Sequence, residues 1–148
     1  MSKTRVVVLF ESMTGNTRQA AERIGGAAAG LGADVWVRPI DGYDPKELAE
    51  ADIVFIGTWV DGLILFGQRP GRAGRIKALP ALDRKPVAAF CTYAVNPGKA
   101  VDKLAGILEA NGASVVARHA FKRTRVAAEV DDFVESALDE LASVQSSS

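Results

Sequence analysis

Cysteine and histidine are almost absent from this chain, with one of each in 148 residues. A single cysteine forms no internal disulfide and no multi-cysteine metal site, and a single histidine forms no two-histidine site or relay. An excess of one charge sign is missing too: 18 Lys plus Arg face 18 Asp plus Glu. That balance argues against a general nucleic-acid or anionic-membrane binder. Long hydrophobic runs are also lacking near the start. Met1-Ser2-Lys3-Thr4-Arg5 leads into only five apolar residues, too few for a signal peptide or a membrane span. The expectation is a protein of the reducing cytoplasm with no nucleic-acid or membrane partner. What is present, 48% hydrophobic and 24% charged residues, excludes a disordered chain and suits one domain over residues 1–148.

Val6-Val7-Val8-Leu9-Phe10 is a continuous β-branched and aromatic run, the pattern of a strand buried on both faces. Residues 11–17 form a polar turn with one glycine. Thr17, Ala20, Ala21, Ile24, Ala28 and Leu31 then recur at helical spacing, stopped by Gly30 and Gly32. The alternation repeats. Residues 33–38 read as a second strand, and Asp44-Pro45-Lys46-Glu47 opens a short helix with Asp at the cap. Residues 52–58 read as a third strand and 59–75 as a long irregular segment, ended by a short helix near Ile76 and Leu79. A fourth strand covers 86–91. Asn96-Pro97 opens a helix with the stripe Val101, Leu104, Ala105 and Leu108. A fifth strand covers 114–121. Val130, Phe133, Val134, Ala137, Leu138 and Leu141 form the stripe of the last helix, and the polar tail 143–148 is expected to fray.

Strands alternating with helices give an α/β fold with a parallel sheet covered on both faces. The first, third and fourth strands are the most apolar and belong in the centre. The second carries Asp34 and Arg38, the fifth Arg118 and His119, and these belong at the edges. Right-handed crossovers then give a doubly wound five-stranded sheet of order 2-1-3-4-5, with ligands at the carboxyl ends beside the switch point.

The loop there, Ser12-Met13-Thr14-Gly15-Asn16-Thr17, combines three hydroxyls and a glycine and runs into a helix N-terminus. Amide donors and the positive end of the helix dipole suit a phosphate. It is neither a P-loop, lacking Gly-Lys-Ser/Thr, nor a dinucleotide fingerprint, having one glycine. An ordinary capped turn is the plainer alternative. Trp59 follows the third strand in Gly57-Thr58-Trp59-Val60-Asp61-Gly62, and Tyr93 follows the fourth in Cys91-Thr92-Tyr93-Ala94. A flat heteroaromatic ring fits between two such aromatics. Packing of these rings on the apolar run Leu63-Ile64-Leu65-Phe66 is the competing reading.

The segment from Val8 to Ile24, Val-Leu-Phe-Glu-Ser-Met-Thr-Gly-Asn-Thr-Arg-Gln-Ala-Ala-Glu-Arg-Ile, resembles the first-strand signature of the flavodoxin-like family of short type at every defining position. The likeness covers nearly the whole length. It implies an FMN-binding electron carrier, with phosphate on Ser12, Thr14, Asn16 and Thr17 and on the backbone amides from Met13 through Gly15 to Thr17. It also implies that Trp59 and Tyr93 flank the isoalloxazine, with Thr58, Val60, Asp61, Gly62 and Thr92 beside them. No residue need be a nucleophile or a general base. Three features depart from the family pattern. The chain is neutral where flavodoxins are acidic. Val60 stands where many members have a glycine whose peptide flips toward the reduced ring. The loop 92–98 lacks the frequent Gly-Asp pair.

Other residues have plainer readings. Cys91 reads as buried packing, His119 as a surface group, and Asp61 as a loop-tip charge able to tune the ring. Arg69, Arg72 and Arg75 cluster beside the expected ring edge and point to an acidic redox partner, with a solvated helix face as the alternative. Two further functions stay in view: an FMN-dependent reductase of quinones or small molecules, and a non-flavin binding or regulatory module on the same fold. A response-regulator receiver is excluded, since Glu11 lacks an acidic neighbour and Thr58 stands where the phospho-acceptor Asp would be.

Overall fold

The apolar run at the start of the chain forms β1 (Arg5–Phe10), with both of its faces covered, as a continuous run requires. The computed structural model describes residues 3–12, 15–61, 69–70 and 73–146. After β1 come α1 (Asn16–Gly30), β2 (Asp34–Pro39), a 3-10 turn (Ile40–Gly42), α2 (Pro45–Glu50) and β3 (Ile53–Asp61). The two-residue β4 (Arg69–Pro70), α3 (Ala73–Lys77), β5 (Pro86–Tyr93), α4 (Ala100–Ala110), β6 (Ser114–Lys122) and α5 (Val126–Ser146) complete the order.

The parallel sheet runs β2-β1-β3-β5-β6, the order expected from strand chemistry, with β2 and β6 at its edges. Alternation along β1 sorts the core into two layers. Val6, Val8 and Phe10 pack with Ile24, Phe133 and Val134 of α1 and α5. Val7 and Leu9 pack with Leu48, Ile76 and Leu104 on the other side.

Several boundaries differ from the sequence reading, each for a local reason. The third strand continues through Trp59 and Val60 to Asp61 because β4 pairs with it antiparallel, Val60 opposite Pro70. The fourth expected strand, β5, continues to Tyr93, held by pairing of Thr92 with Phe121 and Tyr93 with Lys122. Asn96 does not cap α4. Its Oδ1 accepts from the Gly98 amide at 3.0 Å, a local turn, and the helix starts at Ala100 after an N-cap Lys99 without a side-chain bond. Leu31 lies past the last turn of α1 and is 53% exposed, so it leaves the buried stripe. The polar tail begins inside α5, which extends to Ser146. At α2, Asp44 caps as expected, accepting from the Lys46 amide at 2.8 Å, while Glu47 turns away to bind Arg38 with bonds of 3.1 and 2.9 Å.

One glycine is fixed by packing. Gly57 of β3 pairs with Phe10 on one side and Phe90 on the other, and the Phe90 ring lies over it. A Cβ at residue 57 would sit 2.2–2.4 Å from that ring. Phe90 cannot retreat, because it stacks edge-on to Phe121, which meets Phe133 in turn. Gly57→Ala is therefore expected to destabilise the protein by ~1–3 kcal/mol through overpacking. Urea unfolding checks this: the midpoint falls while the slope stays constant.

Candidate functional site

Helix α1 opens at Gly15, which adopts φ +93°, a conformation that favours glycine, and has nothing within 4 Å of where a Cβ would lie. The Gly15 amide donates to Ser12 Oγ at 3.0 Å. The first intrahelical bond runs from the Gln19 amide to the Gly15 carbonyl at 3.0 Å, so the first-turn amides lie ahead of the helical ladder. No carboxylate stands in that first turn, and the N-cap makes no side-chain bond. Neutral donors at an uncapped helix N-terminus, with space over a glycine, form a cradle for an anion.

This cradle is tied to the rest of the sheet edge by one buried contact. Thr17 Oγ1 and Thr92 Oγ1 lie 2.8 Å apart, both residues almost fully buried. The helix start is thereby fixed against the end of β5, next to Tyr93. Trp59 pairs with Thr92 across the β3–β5 ladder. Asn16, Trp59, Val60, Thr92, Tyr93, Ala94 and Arg123 line one hollow of about 150 Å³. Both aromatic rings are half-buried there.

Of the residues expected at this site, Ser12, Gly15, Asn16, Thr17, Trp59, Val60, Thr92 and Tyr93 are brought to the same edge of the sheet. Thr58 is fully buried beneath it. Met13, Thr14, Gly62, the run 63–66 and Arg72 lie outside the described residues, and Asp61 and Arg69 are described by backbone alone. Val60 is held in the ladder opposite Pro70. The non-glycine residues with positive φ among those described are Asp83 and Arg84, so Val60 keeps extended backbone.

Sequence reasoning missed Arg123, which enters the hollow because its amide donates to the Tyr93 carbonyl at 2.9 Å. Its position directly after β6, at the carboxyl edge, was the available signal. It also missed the pairing of Glu11 with Arg75, whose Nη1 donates to Glu11 Oε1 at 3.0 Å. Among the described residues no three or more His, Cys, Asp or Glu side chains converge to hold a metal ion. No described helix is long and apolar enough to cross a membrane.

The family model for the flavodoxin domain matches residues 7–142. The chain belongs to the flavodoxin family. Two-electron reduced flavodoxin of Megasphaera elsdenii superposes with a TM-score of 0.74 at 24% identity, over 89% of this chain and 97% of that one. Flavodoxin of Streptococcus pneumoniae TIGR4 superposes with a TM-score of 0.71 at 23% identity, over 91% and 98% of the two chains. The sulfite reductase (NADPH) flavoprotein alpha-component of Thiocapsa roseopersicina is 30% identical over 106 residues, 62% of this chain. The flavodoxin spans about a fifth of that relative's length, 20%.

Flavodoxin domains bind FMN, and this chain carries such a domain over residues 7–142. The donor set fits the cofactor. The uncapped start of α1, the open space over Gly15 and the hydroxyl of Ser12 suit a phosphate without offering a competing negative charge in the first turn. The hollow between Trp59 and Tyr93 suits the edge of an aromatic ring.

The side groups weighed from sequence fall outside this site. His119 lies against α5, with Nε2 2.9 Å from Glu129 Oε1 and its ring edge-on to Phe121 at 4.5 Å. The hydrogen bond with His119 holds the Glu129 carboxyl below the ordinary carboxylate range. Cys91 is completely buried, and burial pushes its thiol up to about 12. A buried thiol of that kind stays protonated and unreactive. Cys91 is expected to resist Ellman's reagent at pH 8 in the folded protein and to react fully, one thiol per chain, in denaturant.

Proposed function

We propose that this flavodoxin holds FMN with its phosphate on residues 12–17 and its ring system between Trp59 and Tyr93, and carries electrons between cytoplasmic redox proteins. The observation that carries this reading is the Thr17–Thr92 hydrogen bond, which sets the anion cradle and the aromatic hollow side by side. FMN, when bound, accepts and releases electrons one or two at a time. The chain supplies what surrounds that chemistry. The start of α1 and the hydroxyl side chains orient the phosphate, the two rings exclude water from the flat faces, and Val60 presents a fixed extended backbone at the edge. Arg123 brings a positive charge to the same hollow.

Phosphate donors that are charge-assisted contribute roughly 1.5–3 kcal/mol each, so FMN is expected to bind well ahead of riboflavin. Fluorescence titration of the apoprotein tests this, and equal affinities would remove the phosphate assignment. Trp59→Ala and Tyr93→Ala should each weaken FMN and riboflavin alike and leave the bound flavin brighter, since each removes one quenching ring. A ring whose loss changes neither brightness nor affinity lies outside the sandwich.

The partner we propose has an acidic docking face. The residues proposed to meet it are Arg69 and Arg72, while the charge of Arg75 is already matched by Glu11 at 3.0 Å and Asp41 at 3.6 Å. Charge near an exposed edge acts mainly on encounter rate and is screened by salt. Reduction of the FMN-loaded protein by dithionite, an anionic donor, should slow as salt is raised, and the double charge reversal of Arg69 and Arg72 to Glu should flatten that dependence. An unchanged salt dependence would leave these arginines as a solvated surface. A second reading, a flavin domain serving within a larger NADPH-dependent reductase, is favoured by the sulfite reductase relative. It predicts efficient electron uptake from a reductase domain rather than from a free partner.

A further inference from the structure

Glu11 stands one residue ahead of Ser12, yet its side chain is only 5% exposed. Strand alternation sets its direction. Val6, Val8 and Phe10 pack toward α1 and α5, so Glu11 follows Val7 and Leu9 to the opposite face, the one that holds Ile40 and Ile76. Its amide donates to the Gly57 carbonyl at 2.9 Å, which keeps it in the sheet beyond the end of β1. Apolar packing is the expected content of such a position, and a carboxylate there is costly unless a cation accompanies it.

That cation is Arg75. Its Nη1 donates to Glu11 Oε1 at 3.0 Å and lies 3.6 Å from Asp41 Oδ2. Three segments thus meet at one guanidinium: the exit of β1, the turn after β2, and α3. The Arg75 side chain is half exposed, so it is not buried for packing. Its partner is a negative charge set immediately before the loop that must accept a second, larger negative charge.

We propose that Arg75 is a specificity-determining positioning residue: it neutralises Glu11 so that the start of α1 accepts a phosphate, and the Glu11–Arg75 pair thereby sets the preference of this site for phosphorylated over unphosphorylated flavin. The inference rests on the phosphate assignment made above. It also gives Arg75 a role different from partner docking. A plain strut between β1 and α3 would affect both flavins equally. A charge compensator affects only the one that carries phosphate. At the effective dielectric of ~20 near a protein surface, the interaction of two unit charges ~12 Å apart corresponds to about tenfold in binding.

The test is the ratio of FMN to riboflavin dissociation constants in the parent, Glu11→Gln, Arg75→Met and the double variant, measured by fluorescence titration at low salt. Arg75→Met should weaken FMN about tenfold and change riboflavin less than about twofold. Glu11→Gln keeps the size of the side chain and removes its charge, so it should tighten FMN relative to riboflavin. The double variant should return close to the parent ratio. Glu11→Gln carries the test alone if Arg75→Met fails to fold. Equal changes for both flavins, or a Glu11→Gln that weakens FMN selectively, would overturn the inference. A parent that prefers FMN while the ratio ignores all three variants overturns this inference alone. A parent that binds both flavins equally refutes the phosphate assignment, and this inference with it.

Discussion

The buried hydrogen bond between the Thr17 and Thr92 hydroxyls is the contact on which the site depends. It joins residues 75 positions apart in the chain. Ala20 and Ala21 of α1 already pack in one cluster with Ala88 and Phe90 of β5, and this bond adds a polar tie at the ends of the two elements. With it, the anion cradle and the aromatic hollow become one surface. The contact is buried, so its loss leaves hydroxyls that water cannot satisfy, at a cost of about 1–3 kcal/mol. Function and stability are coupled at this point under the proposed reading: the same two side chains that complete the core at the carboxyl edge also fix the groups proposed to meet the cofactor.

The sheet beneath imposes a second constraint. Its central strands are apolar on both faces, so polar groups gather where the strands end. That confinement makes the carboxyl edge chemically dense. Ser12, Thr17, Thr58 and Thr92 lie there, and so does Glu11, the one charged residue among the buried ones described. Gly57 shows how tightly the edge is built, since the Phe90 ring occupies the space any side chain would need. The layer around Phe55, Phe90, Phe121 and Phe133 then carries the rigidity of β3 and β5 to the two aromatics at their ends.

Much of this was legible in the sequence because it rests on local chemistry. The uninterrupted run Val6–Phe10 gives a doubly buried strand, and Asp34, Arg38, Arg118 and His119 mark the edge strands. Those two signals, with right-handed crossovers, give the strand order. The Ser12-to-Thr17 loop carries the donors that make an anion site the expectation, beside the plainer one of a capped turn. What sequence could not show depends on distant pairing. Val60 looks like loop until Pro70 pairs with it, and Tyr93 looks like loop until Lys122 does. Arg75 looks like one of three surface arginines until Glu11, 64 positions away, turns inward beneath it. Asn96 offered a cap signal that a nearer acceptor role, to Gly98, took instead.

The central claim is that one edge of the sheet holds both ends of FMN. A crystal structure of the FMN complex measures this directly. The account predicts phosphate density within hydrogen-bonding distance of the Asn16 and Thr17 amides, and the ring system between the side chains of Trp59 and Tyr93. Phosphate bound elsewhere, or a ring that touches neither aromatic, would contradict it.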